Sequence, residues 1–477
     1  MSLAGGLAST VRSAPASLHR KNAGGTIGVG IVGLGRKGSQ LIETFASMKG
    51  VRITALCDVD REVLAHYTGK LNDEPTRPQS CIDVRKMLDN RDVDAVIIAT
   101  PNHWHALMTI WACQAGKDVY VEKPVSHNFW EGRQMIAAAR RYNRIVQAGT
   151  QNRSSLALRE ALEYIRAGNL GRVIQVRGLC YDERPSIGKT NGPQPIPEAI
   201  NYDLWTGPAP LEPLFRRRVH YDWHWFWTTG NGNIGNQGVH QLDVCRWFAG
   251  QDQLPKSVVS LGGRYGYEDD GQTPNTQVAL FDYPVPIIFE VRGLMESKGA
   301  AAMDHILGVR VGFLVECEGG VFAGGKAGGG WVYDKDKKRV KQFAAAGEET
   351  HVQNFIDAVR SRNIGDLKAE VREGVVSAGL SHMANLSYRL GRQSDTASAL
   401  EMLESQPEFR EAVERMYRHL AANEVNLTEH WLKVGAHLEF NPGQNQFVSR
   451  SSYDLGDWAN LMSKPPYRPP FVVPEVA

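Results

Sequence analysis

Three groups of residues in this chain are typed and spaced to do chemistry together. The first is Gly33-Leu34-Gly35-Arg36-Lys37-Gly38, a Gly-x-Gly-x-x-Gly that directly follows the apolar run Ile27 to Val32. At such a junction Gly33 would make a tight turn, Gly35 would let the backbone approach a pyrophosphate, and Gly38 would let a helix pack close to a strand. Leu34, Arg36 and Lys37 lie in the same loop and are candidates for the same contact. The second group is Asp58, 20 residues beyond Gly38, at the end of the run Arg52 to Cys57. An acid at that place receives ribose hydroxyls and disfavours a 2′-phosphate, so NAD is expected over NADP, with Arg61 the one nearby residue that would suit the latter. The third group follows two further apolar runs: Thr100-Pro101-Asn102-His103-Trp104-His105 after Ala95 to Ala99, and Glu122-Lys123-Pro124 after Val119 to Val121. In an open α/β sheet ligands bind beyond the carboxyl ends of the strands, which puts Thr100, Asn102, His105 and Glu122 at the cofactor. His103 and His105 have no third ligand at a metal-binding spacing, and no metal is expected.

What must position these groups is an alternation of strand-like and helix-like segments from Ile27 to Ala148, the pattern of a parallel sheet covered by helices. From about Val173 strands recur with few helices between them, and helix returns at His351 to Arg362 and Val371 to Leu390. The expected fold is therefore α/β plus α+β: a Rossmann-type domain over 27–150, then a largely antiparallel sheet domain over 151–392. Around Glu408 to Ala421 the residues Phe409, Val413, Met416 and Leu420 make one apolar stripe, with Ser405 and Glu408 spaced as a capping box. Five prolines between Ser463 and Ala477 forbid helix there, and residues 433–477 are read as an extended C-terminal arm. Residues 1–26 carry three basic residues, no acid and mostly small ones, which reads as a disordered arm or the remnant of an export signal without its apolar region. The location is accordingly expected to be cytoplasmic or periplasmic.

Composition excludes several classes of function. Lys plus Arg number 54 against 52 Asp plus Glu, so no overall field selects nucleic acid or an anionic membrane. Apolar runs are strand-sized, and no membrane span is expected. Six cysteines with no Cys-x-x-Cys and no short-range pairing argue against a disulfide framework, and none is assigned a catalytic role.

The order and spacing of Gly33 to Gly38, Asp58, Thr100 to His103, Glu122-Lys123-Pro124 and Gly235-Asn236-Gln237-Gly238-Val239-His240-Gln241-Leu242-Asp243 resemble the glucose-fructose oxidoreductase, inositol dehydrogenase and rhizopine-catabolism (Gfo/Idh/MocA) family. The likeness spans about Ile27 to Arg392, and 393–432 looks like a helical insertion relative to shorter members. It implies a Rossmann domain followed by an open-faced sheet domain, NAD(P) binding and oxidoreductase activity on a sugar or polyol. A homodimer or homotetramer through the open sheet is also implied.

Hydride transfer from a carbinol needs a group to take the hydroxyl proton and a cation to steady the developing alkoxide. The resemblance makes Lys123 the lysine of the Glu-Lys-Pro motif and His240 the acid/base. Many members carry an aspartate four residues before that histidine; this chain has Asn236, which can orient an imidazole or bind a hydroxyl but cannot raise the basicity of the ring. Asp243, one helical turn after His240, is a candidate support. Tyr221, His224 and Gln237, with Gln151 and Arg153 after the last Rossmann strand, are candidate saccharide contacts. The tryptophans at 205, 223, 225, 227 and 247 suit either sugar stacking or one buried face. Three functions follow in order: an NAD-dependent oxidoreductase acting on a secondary hydroxyl of a sugar, glycoside or polyol; a redox-neutral glycosidase or lyase working through a 3-keto intermediate; and a non-catalytic NAD and sugar sensor. Retention of both Lys123 and His240 argues against the third.

Overall fold

The computed structural model describes residues 25–71, 77–345, 349–401, 403–428 and 432–476; the arm expected over 1–26 lies outside these, apart from its last two residues. The first domain alternates β1 (Ile27–Val32), α1 (Arg36–Ala46), β2 (Val51–Cys57), α2 (Arg61–Lys70), β3 (Gln79–Cys81), α3 (Val84–Leu88), β4 (Ala95–Ile98), α4 (Asn102–Gln114), β5 (Asp118–Val121), α5 (Phe129–Arg141) and β6 (Val146–Ala148). β1, β4 and β5 are buried along their whole length, because helices cover both faces of a parallel sheet. The strand order is β3-β2-β1-β4-β5-β6, so the chain reverses direction across the sheet between β1 and β4. Loops leaving these two strands part at that point and open a crevice. On the far side of β1, β2 pairs with β3 so that Cys57 stands opposite Cys81, two thiols that sequence separation gave no reason to join.

The second domain begins with α6 (Leu156–Arg166), β7 (Val173–Tyr181), α7 (Tyr202–Thr206), α8 (Gly232–Asn236) and α9 (Gly238–Phe248). Strands β8 (Ser257–Gly263), β9 (Thr276–Phe281), β10 (Ile287–Arg292), β11 (Val311–Cys317), β12 (Gly320–Gly325), β13 (Gly330–Asp334) and β14 (Arg339–Phe343) follow, then α10 (Glu349–Ser361) and α11 (Val371–Arg389). After them come β15 (Arg392–Ser394), α12 (Thr396–Glu401), α13 (Pro407–Ala422), β16 (Leu432–Val434), β17 (Leu438–Asn441), β18 (Gln446–Phe447) and α14 (Leu455–Met462). The strands form one sheet in the order β14-β13-β12-β11-β7-β10-β9-β8-β16-β15, with β17 also on β8. β7 and β10 run parallel, and the neighbours of each pair are antiparallel. One face packs on α6, α9 and α11 through Leu158, Leu162, Phe248, Leu380 and Met383 against Phe281, Phe289, Phe313 and Phe322.

The other face is covered by segments of the same chain. The stripe Phe409, Val413, Met416 and Leu420 of α13 lies on Val259, Leu261, Val278 and Ile288. Met303 and its neighbours Met295, Ile306 and Leu307 cover Leu179, Tyr181 and Leu314 beside it. Fully buried Glu290 of β10 is held at this seam by Arg177 at 2.9 Å, by the Tyr181 hydroxyl at 2.7 Å and by Arg415 of α13. The surface through which an open sheet would associate is thus largely occupied by the chain's own segments. α13 also starts differently from the expected capping box: Gln406 is the cap residue without a side-chain bond, and Pro407 at the first turn sets φ without needing a donor.

Residues 433–477, read as an extended arm, instead contain β17, β18 and α14. Their short apolar groups are strand-forming only because Leu438 and Phe440 pack into the sheet domain's core, a tertiary effect absent from the local pattern. The proline-rich end beyond Met462 is extended and crosses back to the first domain, where Phe471 meets Trp104 edge-on at 5.3 Å between centroids.

Candidate functional site

A cleft of about 580 Å³ runs between the domains from the glycine loop to the sheet. At one end, Gly33 has φ +79°, and a Cβ there would meet the Ala99 backbone at 2.7 Å. A Cβ on Gly38 would fall 1.9 Å from the Gly33 carbonyl oxygen, so that glycine serves the chain and does not itself line the cleft. Gly35 differs: nothing in the chain lies within 4 Å of its missing Cβ, and it borders the cleft. It is also the cap residue of α1 and makes no side-chain bond, which leaves the first-turn amides of an 11-residue helix free for an anion. Arg36 and Lys37 stand on that first turn, facing the cleft. Leu34 is buried, and its N–H donates to Asp58 Oδ2 at 2.7 Å. Asp60 N–H donates to Asp58 Oδ1 at 2.9 Å. Burial pushes the Asp58 carboxyl above its ordinary range while these two amides oppose the rise. This set of groups, an open glycine at a helix start and an anchored acid at the next strand end, fits a dinucleotide.

At the other end, Lys123 follows β5, and its Nζ donates to the Asn236 carbonyl oxygen at 2.9 Å, with Asn236 Oδ1 at 3.5 Å. Burial pulls Lys123 down to about 8; Glu122 opposes this, while Lys37, Arg184 and Lys326 add to it. His240 sits in the first turn of α9 and borders the same cleft. Burial, then the charges of Lys123 and Lys37, holds it well below the usual imidazole value, so it is a neutral base near pH 7. Glu122 is buried, paired with Lys37 at 3.6 Å and bonded by Gln151 Nε2 at 3.3 Å. Tyr221, His224, Gln237 and Gln151 all border this end. His224 lies flat on Trp223 at 3.6 Å and its Nδ1 meets the Tyr221 carbonyl at 2.5 Å, which makes Nδ1 the protonated nitrogen and leaves Nε2 as the acceptor.

Two expected substrate contacts are elsewhere. Arg153 bonds both oxygens of Asp243, at 3.0 and 2.9 Å, and Glu373 at 3.0 Å; Asp243 is fully buried and also takes the Ser377 hydroxyl at 2.6 Å. They form an internal ion-pair network behind α9, because a turn from His240 to Asp243 rotates the acid away from the cleft into α11. His105 borders the cleft with one ring nitrogen 2.6 Å from the Pro124 carbonyl and the other 2.7 Å from the Thr100 carbonyl; the neutral ring donates to one of them and packs between the two strand-end loops. Asn102 donates to Asn231 Oδ1 at 2.9 Å and ties the same loop to the second domain. Of the tryptophans, Trp205 and Trp223 line the cleft wall while Trp225, Trp227 and Trp247 do not. Sequence reasoning missed Asp182 and Lys326, both on the cleft. Lys326 stands in a glycine-rich run, Gly324 to Gly330, whose composition marks a tight turn without telling where it points. Among the described residues no group of three or more His, Cys, Asp or Glu side chains is placed to hold a metal ion.

Two family models match the chain: "Oxidoreductase family, NAD-binding Rossmann fold" over residues 27–150 and "Oxidoreductase family, C-terminal alpha/beta domain" over 173–273, both of Gfo/Idh/MocA. Over these two stretches the chain is similar to the Gfo/Idh/MocA oxidoreductases. It carries that family's NAD-binding Rossmann fold and a mostly antiparallel second domain. Among Gfo/Idh/MocA relatives, levoglucosan dehydrogenase of Pseudarthrobacter phenanthrenivorans is 26% identical over 296 residues, 58% of this chain and 68% of that protein. A glycosyl hydrolase family 109 protein of Shewanella pealeana is 36% identical over 121 residues, 24% of this chain and 26% of its own length. The fold is shared with the WlbA dehydrogenase of Bordetella pertussis, solved with NADH and UDP-GlcNAcA, at a TM-score of 0.56 and 22% identity over 76% of this chain and 97% of that one. Levoglucosan dehydrogenase in complex with NADH and levoglucosan gives a TM-score of 0.56 at 18% identity, covering 75% of this chain and 96% of that chain.

Proposed function

We propose that this protein oxidises, or forms by the reverse reaction, a secondary hydroxyl of a sugar, glycoside or polyol, using NAD rather than NADP. The observation that carries the reading is the meeting of Lys123, Asn236 and His240 at one end of a cleft whose other end is the open glycine loop and Asp58. Bound NAD would supply the hydride acceptor. Lys123, as its cation, would donate to the substrate oxygen while negative charge develops there, and the Asn236 carbonyl fixes where that ammonium points. His240, kept neutral by its surroundings, would take the hydroxyl proton at an imidazole nitrogen. Asn236 here orients the lysine instead of charging the histidine, so His240 works without a carboxylate partner among the described residues. The test is absorbance at 340 nm with excess NAD and a panel of pyranoses, alkyl glycosides and inositols. Signal well beyond one equivalent of enzyme supports the reading; a panel that yields none opposes it.

A second reading has its own support in the relatives named as glycosyl hydrolase family 109 proteins, each matched over about a quarter of this chain. In it, bound NAD would accept and later return the hydride at C3; between these events the acidified C2 proton would be lost, the C1 substituent would leave, and water would add across the resulting C1–C2 double bond. Release of an aglycone from a nitrophenyl glycoside with no net change at 340 nm distinguishes it from the first.

A further inference from the structure

The reacting end of the cleft holds more positive than negative charge. Its cations are Lys123, Arg184 and Lys326, and its acids are Glu122, which Lys37 engages at 3.6 Å, and Asp182, which Arg184 engages at 2.7 Å. Arg184 is further fixed by Asn233 Oδ1 at 3.0 Å and by the Tyr221 hydroxyl at 3.3 Å. Lys326 has no carboxylate within ion-pair distance among the described residues, although it shares the cleft with Lys123. Its backbone is well anchored. The turn between β12 and β13 closes through Gly325 N–H to the Gly329 carbonyl at 2.8 Å, and the Ser155 hydroxyl donates to the Gly328 carbonyl at 2.5 Å. Ser155 starts α6, directly after the segment that brings Gln151 to the cleft. The turn therefore delivers an exposed ammonium, without a carboxylate partner among the described residues, into the same cleft as Lys123, where an anion could engage it. The pyrophosphate position does not supply that anion, since it lies at the start of α1 with Arg36 and Lys37.

We propose that Lys326, backed by Arg184, is a specificity-determining residue that recognises an anionic substituent on the sugar, making the substrate class acidic pyranoses such as uronates or sugar phosphates. This rests on the sugar oxidoreductase reading above. A carboxylate or phosphate ester would dock on the Lys326 ammonium, and the carbinol would face Lys123 and His240.

The experiment is calorimetric titration of the NADH-loaded protein with matched ligands: D-glucose, D-glucuronate and D-glucose 6-phosphate, and D-galactose with D-galacturonate. At least one anionic ligand should bind about tenfold or more tightly than its neutral partner, the gain of one charge-assisted contact, and the margin should shrink as salt is added. Lys326→Met should erase that margin and Lys326→Arg should keep it, with NADH affinity unaltered in both. Whether glucuronate or the 6-phosphate holds the margin identifies the anion. The proposal is overturned if neutral sugars bind as tightly as their anionic partners, or if the margin survives Lys326→Met. Neutral sugars that bind and reduce NAD while the anions do neither would overturn it and leave the oxidoreductase reading standing; no binding by any sugar, with no signal at 340 nm, would remove both.

Discussion

At the phosphate end of the cleft the working groups are backbone amides and one carboxylate, all between Gly33 and Asp58. At the reacting end they are side chains gathered from Lys123, Gln151, Arg184, Tyr221, His240 and Lys326, on loops and helix starts of two domains. The first end is rigid by covalent proximity: a strand, a turn and a helix set its geometry, and each glycine has a steric or spatial reason to be there. The second depends on how the domains dock, which is why it is braced by domain-crossing bonds such as Lys123 to Asn236 and Asn102 to Asn231. On the proposed reading, cofactor binding rests on one contiguous segment and the chemistry on an interface between domains.

The sharpest way to separate the two ends is Lys123→Ala, expected to lower kcat about 10²- to 10⁴-fold, as for loss of a positioned catalytic group, while the Kd for NAD stays within about twofold. Equal losses in both would merge the two ends into one unit. Next, Arg153→Met leaves buried Asp243 without its main partner and should cost about 3–5 kcal/mol of stability, read as a fall in Tm or denaturant midpoint. If KM for the sugar rises while Tm is kept, Arg153 belongs to the reacting end after all. Asp58→Ala should weaken NAD about ten- to a hundredfold, measured by fluorescence titration, with kcat at saturating NAD unchanged. Gly35→Ala should leave Tm where it is, because the chain offers its Cβ no clash, and weaken NAD by about tenfold through the lost approach of the phosphates. The smallest effect is in the pH profile. A cationic Lys123 at about 8 makes kcat fall about twofold between pH 7 and 8 and steeply above, while the acid limb lies well below 6.5 because His240 stays neutral there. An acid limb centred near 6.5 would show that His240 is not the base.

The same contrast explains what could be read in advance. The glycine loop, Asp58 and the parallel sheet were legible because their signals are local: an apolar run, a turn and an acid at fixed offsets. That Lys123 and His240 would share a cleft was legible through the motifs around them. Arg153 and Asp243 were misplaced because a helix carries residues three apart near one another without saying which side a neighbouring helix will cover, and α11, more than a hundred residues on, decides it. Lys326 was illegible for a related reason, since only the pairing of β12 with β13 aims its turn at the cleft. The strands after residue 433 were hidden because their partner, β8, is far away in sequence. The apolar stripe of α13 was visible, but the sequence does not say that its counterpart is the sheet's own outer face.

That cover has a thermodynamic corollary. A sheet face left apolar and bare makes folding and assembly one coupled equilibrium, so the melting temperature climbs with protein concentration through mass action. Here α13 and the segment around Met303 satisfy that surface from within the same chain. Whatever contacts the protein makes with copies of itself, this outer sheet face does not need them to be kept from water.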